Sequence, residues 1–453
     1  MAFATLSAPS STPDRMATRM EKFVIEGGAP LSGSIVPAGN KNAALPALAA
    51  CLLTEDEVIV RNVPRIRDVD AMLGLLKGLG VEVNWREDNA VSLRAHTVDP
   101  FAVDVKMAER IRASFLIAGP LLARFRRADM PTPGGDVIGR RRLDPHLDAF
   151  RALGATVTLE RAFGYRLNAQ TGLKACDFFM DEPSVMATEN ALMAAALTPG
   201  ATVIHNAASE PHVQDLARML LQMGARVEGI GSNVLIVHGS DKLQGADYAI
   251  GPDYIEVGSF IALAAVTGGE LRIRSAVSDD LRMTRMGFER LGCRIEYDGD
   301  DIVVPPGQSL RVRDDEGDAI SKIEDGPWPA FPADLTSIAL ALATQSEGMV
   351  MIFEKMFENR LFFVDKLVNM GARVILCDPH RAVVSGPSRL HGSRMESPDI
   401  RAGMAMLIAA LCAEGQSEIG NIRQIDRGYE RIDERLRSLG AHIERVAAQP
   451  VAA

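Results

Sequence analysis

The sequence is poor in cysteine, poor in aromatic residues and free of long hydrophobic runs. Its five cysteines are widely separated and never form a Cys-x-x-Cys pair. This argues against a disulfide framework and against a zinc site, and it fits a reducing cytoplasm. The longest apolar runs, such as residues 43–53, fall well short of the roughly 20 residues that span a bilayer. The sequence therefore predicts neither a disulfide-rich secreted protein nor a membrane protein.

Basic charge is also scarce. The formal net charge is −10, and binding nucleic acid without sequence preference needs a broad basic face, so we expect no nucleic-acid partner. The sequence contains neither a cluster of metal-ligating residues nor a Gly-rich dinucleotide fingerprint, which predicts no metal and no cofactor. A small anionic ligand remains possible, because the arginines are concentrated locally.

The residues that are present indicate a large globular protein. Aromatic residues make up only 5% of the chain, whereas Ala, Leu, Val and Gly abound, which favours close packing of helices on sheets. A chain of 453 residues exceeds what one core usually supports and predicts two or three domains. Residues 1–20 are rich in Ala, Ser, Thr and Pro and lack the apolar core of a secretion signal. We expect them to form a disordered tail.

One loop combines the features of a ligand site. Residues 133–146 read Pro-Gly-Gly-Asp-Val-Ile-Gly-Arg-Arg-Arg-Leu-Asp-Pro-His, and we call them the Gly-Arg loop. Its glycines let backbone N–H groups approach a ligand, and its arginines can bind phosphate or carboxylate through forked hydrogen bonds. The glycines also predict a mobile lid that closes over a ligand. A solvated basic loop is the alternative interpretation.

A pattern recurs six times along the chain. A Leu-Gly or Met-Gly pair ends an amphipathic helical stretch and opens a β-branched run, with 68 to 79 residues between successive pairs. The glycine suits the position just after a helix. The six glycines are Gly80, Gly154, Gly224, Gly292, Gly371 and Gly440.

Upstream of every pair, a stretch rich in Ala, Leu or Met predicts a helix buried on most sides. These stretches are residues 43–53, 111–123, 188–197, 255–266, 335–344 and 400–413. Six similar α+β units predict a repeated architecture in which neighbours bury one another's apolar faces.

The two ends of the chain complete one another in this pattern. The last unit stops after residues 442–446 without a hairpin, whereas residues 23–25 and 33–36 predict an orphan hairpin near the N-terminus. Another hairpin is expected between residues 234–237 and 247–250. The N-terminal segment should therefore belong with the C-terminal units.

Three units in each half predict two similar domains. One would contain residues 21–41 and 252–453 and hold both termini, and the other would contain residues 42–251 and carry the Gly-Arg loop. The chain would cross between them near Lys41 and near Gly251.

Polar residues gather near the predicted starts of the buried helices. They are Asn40–Asn42, Arg112, Thr188–Asn190, Asp253, Asp334 and Arg401. Helix N-termini attract anions, so several that converge would form an anion site in a cleft between the domains. Taken singly, each residue is more typical of a helix cap or a surface group than of an anion site.

The chain also resembles a known family through seven motifs. They are Val-Pro-Ala-Gly-Asn-Lys-Asn-Ala-Ala-Leu-Pro at 36–46, Arg-Ala-Ser at 112–114, Pro-Gly-Gly-Asp-Val-Ile-Gly at 133–139, Ala-Thr-Glu-Asn at 187–190, Phe-Pro-Ala-Asp at 331–334, Phe-Glu-Asn-Arg at 357–360 and Asp-Arg-Gly-Tyr-Glu-Arg-Ile at 426–432. They are similar to motifs of the UDP-N-acetylglucosamine enolpyruvyl transferase (1-carboxyvinyltransferase) family, over about residues 20–446.

The resemblance implies a two-domain inside-out α/β barrel and the first committed step of peptidoglycan synthesis. The sister family, 5-enolpyruvylshikimate-3-phosphate synthase, shares the fold. In that sister family the first loop has a version with Ser and Arg, whereas this chain has Asn40–Asn42 at the corresponding place.

The resemblance further implies roles for individual residues. Enolpyruvyl transfer needs a base, an acid and a cationic cradle. The implied catalytic residues are Asp334 as the base, Asp136 as the acid, and Lys41, Arg401 and Arg427, which with Arg141 would hold phosphoenolpyruvate. The residues implied to bind UDP-N-acetylglucosamine are Lys41, Asn42, Arg112, Arg141, Arg142, Leu143, Asp144, Pro145, Glu182, Pro183, Ser184, Val185, Asp334 and Met356.

This chain departs from the common family pattern at a few positions. Asp136 stands where most members have Cys, the target of the epoxide antibiotic fosfomycin, so we expect resistance to that antibiotic. An aspartic acid donates a proton only where the site favours its protonated form, and Arg140–Arg142 oppose that form. We expect the anionic substrates to offset the arginines in the loaded site.

Three further departures lie in the nucleotide region: Met186 replaces a usual Gly, and Pro145 and Arg142 are unusual. They leave open a paralogue that acts on another uridine nucleotide. A catalytically silent, ligand-binding paralogue is the alternative of a different class.

Overall fold

A computed structural model describes residues 21–86 and 89–447. The disordered tail predicted for residues 1–20 lies outside these ranges. Within them, the helices are α1 Lys41–Ala50, α2 Arg67–Gly78, α3 Val105–Ala108, α4 Ala118–Phe125, α5 Asp144–Ala152, α6 Val185–Ala196, α7 Pro211–Gln222, α8 Tyr254–Thr267, α9 Arg282–Arg290, α10 Thr336–Ala343, α11 Val364–Asn369, α12 Ile400–Cys412 and α13 Ile432–Ser438. Short 3-10 helices occupy Cys51–Leu53, Arg112–Ile117, Ser278–Leu281, Ala333–Leu335 and Ile425–Arg427.

The strands of the described residues are β1 Glu21–Glu26, β2 Gly33–Ile35, β3 Val58–Arg61, β4 Glu82–Trp85, β5 Val91–Arg94, β6 Arg127–Pro131, β7 Thr156–Glu160, β8 Gly164–Asn168, β9 Asp177–Phe179, β10 Gly200–His205, β11 Arg226–Glu228, β12 Val234–Gly239, β13 Asp247–Ala249, β14 Leu271–Ile273, β15 Glu296–Asp298, β16 Asp301–Val304, β17 Ser321–Glu324, β18 Gly348–Phe353, β19 Val374–Asp378, β20 Arg381–Gly386, β21 Arg394–Glu396, β22 Gln416–Gly420 and β23 His442–Ala447. They form six sheets, five with four strands and one with three. Six sheets confirm the six predicted units.

The glycine at each predicted joint adopts a left-handed conformation, with φ between +83° and +104°. Side chains with a Cβ rarely adopt this region, so glycine ends each outer helix and lets the chain turn into the next strand. Gly80, after α2, lies so close to the chain that a Cβ there would be 2.2 Å from the Thr97 carbonyl oxygen.

The six predicted buried helices lie inside, and the sheets cover them. α8, α10 and α12 pack against one another in one half, and almost every residue of these helices is buried. Alanine and glycine side chains are small enough to let such helices approach closely, which explains why the core needs few aromatic residues. This arrangement confirms the two-domain inside-out α/β architecture.

The buried apolar residues form two separate cores. One core runs from Ala43 to Ile250, and the other joins Phe23–Ile35 to residues 254–443. The division supports the predicted domains of residues 42–251 and of 21–41 with 252–453, whose boundaries stay a prediction.

The N-terminal strand completes the last unit, as predicted. β1 lies between β22 and β23 and is antiparallel to both, with Phe23 opposite Ile419 and Arg445. The predicted hairpin of residues 23–25 with 33–36 is wrong, because β2 joins another sheet and pairs in parallel with β14.

The predicted hairpin of residues 234–237 with 247–250 is also wrong. β12 pairs with β10 and β11, whereas β13 pairs in parallel with β3. The physical reason is the same in both cases: the strand that precedes a buried helix becomes the parallel edge strand of another sheet, and local sequence does not encode that distant partner.

The two crossings between the halves are hydrogen-bonded to each other. The Asn40 N–H donates to the Gly251 carbonyl over 2.9 Å, and the Asp253 N–H donates to the Ala38 carbonyl over 2.8 Å. A Cβ on Gly39 would lie 1.6 Å from the Asn62 carbonyl oxygen, so only glycine fits there. The crossings thus bring the N-termini of α1 and α8 to the same cleft.

Among the residues that the structure describes, we find no helix that combines the length and the apolar character needed to span a membrane.

Candidate functional site

A cavity of about 540 Å³ lies between the two halves and is lined by residues from both. Most of the predicted site residues lie on its wall: Lys41, Asn42, Arg112, Asp136, Arg141, Arg142, Glu182, Pro183, Ser184, Val185, Asp334, Met356, Arg401 and Arg427. Met186, one of the unusual residues, also lines it. The volume is that of a site for a small molecule rather than a polymer.

The structure does not place Leu143, Asp144 or Pro145 on the cavity wall. α5 begins at Asp144, and this start buries Leu143 and Pro145 while Asp144 points to solvent. The Asp144 carboxylate accepts a hydrogen bond from Arg142 Nε over 3.2 Å. This segment therefore contacts Arg142, which lines the cavity.

A carboxylate that the sequence did not reveal holds two cations of the cavity together. Asp68, in the first turn of α2, lies 2.8 Å from Lys41 Nζ and 2.8 Å from Arg427 Nε. Burial by itself would raise the pKa of Asp68, but Lys41 and Arg427 outweigh it and lower that pKa. Asp68 is therefore ionised and holds the two cations side by side.

Arg427 also reaches the Gly-Arg loop. Its Nη1 atom contacts both the Asp136 carboxylate and, over 2.9 Å, the Gln424 side-chain oxygen. One guanidinium thus links the two halves through Asp68 and Asp136. The structure brings the predicted acid into one cluster with two of the predicted cations, Lys41 and Arg427.

Asp334, which also lines the cavity, lies between two arginines. Arg360 Nη2 donates to one Asp334 oxygen over 2.9 Å, and Arg401 Nη2 donates to the other over 3.0 Å. Burial by itself would raise the pKa of Asp334, but the two guanidiniums outweigh it and hold the pKa well below its ordinary value. Arg401 Nη1 is buried and has no hydrogen-bond partner among the described residues, so it can receive an anionic group.

A buried acid, Glu354, lies behind Arg360. Glu354 is fully buried, and its Oε2 lies 3.6 Å from Arg360 Nε. Burial raises the pKa of Glu354 to about 9, and the nearby Asp325 adds to the shift while Arg360 opposes it. A neutral Glu354 leaves most of the Arg360 charge to Asp334 and to the cavity.

The Gly-Arg loop spans the cleft and contacts both halves. Arg112 Nη2 donates to the carbonyls of Arg141 and Arg142 over 2.7 and 2.9 Å. On the far side, the Arg140 N–H donates to Glu358 over 3.0 Å. A Cβ on Gly139 would lie 2.1 Å from the Glu358 carboxylate, so the glycine permits this close contact between the halves.

The outer edge of the cavity is built around the start of α6. Arg142 forms ion pairs with Asp144, Asp181 and Glu182 at 3.2, 3.1 and 3.7 Å. Ser184 precedes the helix without a side-chain cap, which leaves the first N–H groups of α6 facing the cavity edge.

Several wall residues were missed from the sequence. In the sequence, Asp68 has the features of an ordinary acid in the first turn of an exposed helix. Arg360 was identified only as part of a motif. Glu210 and His212, at the start of α7, also line the cavity. Only Arg360 gave a sequence signal, the Phe-Glu-Asn-Arg motif at 357–360.

Comparisons with known proteins agree with this geometry. Residues 25–436 match the family model of EPSP synthase (3-phosphoshikimate 1-carboxyvinyltransferase). A Bradyrhizobium diazoefficiens protein named UDP-N-acetylglucosamine 1-carboxyvinyltransferase is 57% identical, covering 94% of this chain and 98% of that one. A protein of the same name from Treponema denticola is 53% identical, covering 94% of this chain and 99% of that one.

Solved structures share the fold. The crystal structure of the enolpyruvyl transferase NikO from Streptomyces tendae matches with a TM-score of 0.84 at 24% identity, covering 95% of this chain and all of that one. EPSP synthase from Acinetobacter baumannii matches with a TM-score of 0.71 at 18% identity, covering 94% of this chain and all of that one. The chain therefore belongs to the UDP-N-acetylglucosamine 1-carboxyvinyltransferases, within the wider enolpyruvyl transferase family that the EPSP synthase model describes.

Proposed function

We propose that this protein transfers the enolpyruvyl group of phosphoenolpyruvate to the 3′-hydroxyl of UDP-N-acetylglucosamine and releases phosphate. Relatives at 57% and 53% identity carry the name of this activity. The observation that carries the proposal is one cavity lined together by Lys41, Arg427, Asp334 and Arg401. No specific feature of the cavity favours a different donor sugar or a silent paralogue.

The reaction consists of an addition step followed by an elimination step. The 3′-oxygen bonds to carbon 2 of phosphoenolpyruvate while carbon 3 gains a proton, and the hydroxyl proton passes to a base. Carbon 3 then loses a proton as the bond from carbon 2 to the phosphate oxygen breaks, which restores the double bond. Each step moves a proton, so a base and an acid must face the reacting atoms.

The cations of the cavity suit phosphoenolpyruvate. We assign its phosphate and carboxylate to Lys41, Arg141, Arg401 and Arg427. Arginine forks and the lysine ammonium are the groups that bind such anions in proteins. In the ligand-free protein Asp68 and Asp334 balance part of this charge, so the anion enters a cavity whose cations are already oriented.

We assign the role of base to Asp334. Its carboxylate is ionised, but its two arginines make it a weak base in the ligand-free protein. When the carboxylate of phosphoenolpyruvate engages Arg401, that guanidinium is shared between two anions. Asp334 then loses part of its stabilisation and becomes a better acceptor for the hydroxyl proton.

We assign the role of acid to Asp136, which contacts Arg427. A phosphate bound at Arg427 competes for this guanidinium, and a carboxyl group freed from it gains a proton more readily. The contacts of the Gly-Arg loop with Arg112 and Glu358 keep Asp136 at the cavity wall.

The sugar nucleotide would occupy the outer part of the cavity. The first N–H groups of α6 and the Arg112 guanidinium would supply donors for its diphosphate, with Glu182, Pro183 and Ser184 beside them. Asn42 and Met356 would border the sugar. Arg142 is held by three acids, so we assign it to the edge rather than to the diphosphate. Leu143, Asp144 and Pro145 would act only by placing it.

We propose further that the protein works in the cytoplasm, at the first committed step of peptidoglycan synthesis, and that its partners are these two small molecules alone. The family supports the pathway, and the net charge of −10 supports the exclusion of nucleic acid. We propose no metal and no cofactor for the reaction beyond the phosphoenolpyruvate co-substrate.

One assay tests the function. Purified protein should release phosphate from phosphoenolpyruvate only when UDP-N-acetylglucosamine is present, and a panel of other UDP-sugars should support less release. A faster reaction with another UDP-sugar would favour the paralogue with a different substrate. Absence of phosphate release with every sugar, in a protein that still binds UDP-N-acetylglucosamine, would indicate the silent paralogue.

A further inference from the structure

Three polar side chains on the cavity wall have no part in the functions assigned above. Glu189 lies on α6, and Glu210 and His212 lie at the start of α7. All three line the cavity. We call them the polar floor.

The polar floor presents hydrogen-bonding atoms that the protein leaves unpaired. Glu189 is 1% exposed and His212 is 4% exposed. Glu189 Oε1, Glu210 Oε2 and His212 Nδ1 are buried without a hydrogen-bond partner among the described residues. Most buried polar atoms are paired, and an unpaired one is costly, so three in one cavity wall point to a ligand that pairs with them.

Burial favours the neutral form of each group in the polar floor. Burial raises the pKa of Glu189 well above its ordinary value, and the neighbouring Glu210 adds to the shift. Burial also raises the pKa of Glu210 and lowers that of His212 to about 4. A protonated carboxyl donates one hydrogen bond, while a neutral imidazole and a carbonyl oxygen accept one. This wall therefore suits a neutral group with one donor and one acceptor, and not another anion.

Both halves hold the polar floor in place. Glu210 accepts a hydrogen bond from the Trp328 N–H over 3.5 Å. The His212 ring stacks on Tyr254, with ring centres 6.3 Å apart and planes 8° from parallel. Trp328 and Tyr254 belong to the opposite half from α7, so the polar floor is complete only when the halves are together.

We propose that Glu189, Glu210 and His212 bind the acetamido group of the sugar nucleotide and set the preference for an N-acetylated sugar. Glu189 donates to the acetamido carbonyl, and Glu210 or His212 accepts from its N–H. This inference rests on the proposed function, and it names the residues that would recognise one substituent of the substrate.

Binding to the unmodified protein gives the first test. The dissociation constants of UDP-N-acetylglucosamine and UDP-glucose, which lacks the acetamido group, should differ by about tenfold or more, because the unpaired polar atoms stay unpaired with UDP-glucose. Equal affinities would overturn the proposal. The measurement needs no turnover, so it is independent of whether phosphate is released.

Variants give the second test. Glu189→Leu should weaken UDP-N-acetylglucosamine binding about tenfold, leave UDP-glucose binding nearly unchanged, and so remove the preference. Glu189→Gln, which keeps a donor and an acceptor, should restore most of it. Met193→Leu is the matched control, since Met193 lies one turn further along α6, fully buried and away from the cavity wall.

A purely structural role for Glu189 gives a different outcome. In that case Glu189→Leu would weaken both ligands equally and lower the melting temperature, and the preference ratio would stay at the wild-type value. That result would refute the proposal. If Glu189→Leu does not fold, the comparison of the two ligands on wild type and Glu189→Gln decides, since both must show the preference.

Discussion

Replacement of Asp68 by asparagine should disrupt the positions of Lys41 and Arg427 in the cavity. The Asp68 carboxylate is buried and makes contacts of 2.8 Å to Lys41 and 2.8 and 3.3 Å to Arg427. Asparagine keeps the shape but removes the charge and turns an N–H donor toward one of the cations. The two cations then repel each other and lose their common position.

The magnitude follows from these contacts. Removing one partner of a buried ion pair costs about 3–5 kcal/mol. We take the lower value, because Arg427 keeps its 2.9 Å contact with Gln424. Since about 1.4 kcal/mol corresponds to a tenfold change in rate, a loss of this size lowers kcat/KM for phosphoenolpyruvate roughly 100-fold.

Phosphate release measured against each substrate provides the assay. Asp70→Asn is the matched control, because Asp70 lies in the same first turn of α2 but is exposed, and it should retain wild-type kinetics. Asp68→Asn should lower kcat/KM for phosphoenolpyruvate more than kcat/KM for the sugar nucleotide. A kcat/KM for phosphoenolpyruvate within threefold of wild type would refute the role of Asp68.

The same substitution should change the acid sensitivity of the fold. The pKa of Asp68 is lowered in the folded protein, so its ionised form contributes stability above the unfolded value of about 3.9. That contribution is lost as the pH falls through the lower folded pKa. Asp68→Asn should therefore melt below wild type at neutral pH, with the difference shrinking below about pH 4; a constant difference would contradict this.

Four further outcomes are expected. Asp136→Asn should lower turnover by about 10²- to 10⁴-fold, the usual contribution of a general acid, and wild-type turnover across a pH–rate series would exclude Asp136 as the acid. Wild-type protein should resist stoichiometric inactivation by fosfomycin whereas Asp136→Cys should be alkylated, and rapid inactivation of wild type would count against the carboxylate argument. Glu358→Ala should remove the acceptor that holds the Gly-Arg loop and speed proteolysis of the loop in the presence of UDP-N-acetylglucosamine; unchanged cleavage would mean that Glu358 does not hold the lid. Gly80→Ala should lower stability more than Gly224→Ala, because only the alanine at position 80 would place its Cβ 2.2 Å from a backbone carbonyl oxygen. Both glycines have φ near +95°, so the backbone strain of about 1–2 kcal/mol is common to both variants. Equal melting temperatures of the two variants would show that this carbonyl moves aside without cost.

The sequence by itself determined the repeating parts of this protein. Each unit joins an apolar helix, an outer helix, a glycine and a β-branched strand within a short stretch, and such signals depend on side-chain periodicity and on the conformational freedom of glycine. The six joints, the six buried helices and the return of the N-terminal strand to the last unit followed from them. Glycines and clustered arginines indicated the Gly-Arg loop, and the family resemblance indicated Lys41, Asp334, Arg401 and Arg427.

Only the tertiary structure decided which distant parts meet. The parallel partners of β2 and β13 lie in other units, so the predicted hairpins failed. Asp68 and Arg427 are 359 residues apart, and nothing in the neighbourhood of Asp68 marks it as more than a helix-start acid. The polar floor is visible only as buried atoms without partners. Local sequence specifies elements because their interactions are local, whereas a site between two halves depends on contacts that form when both halves are complete.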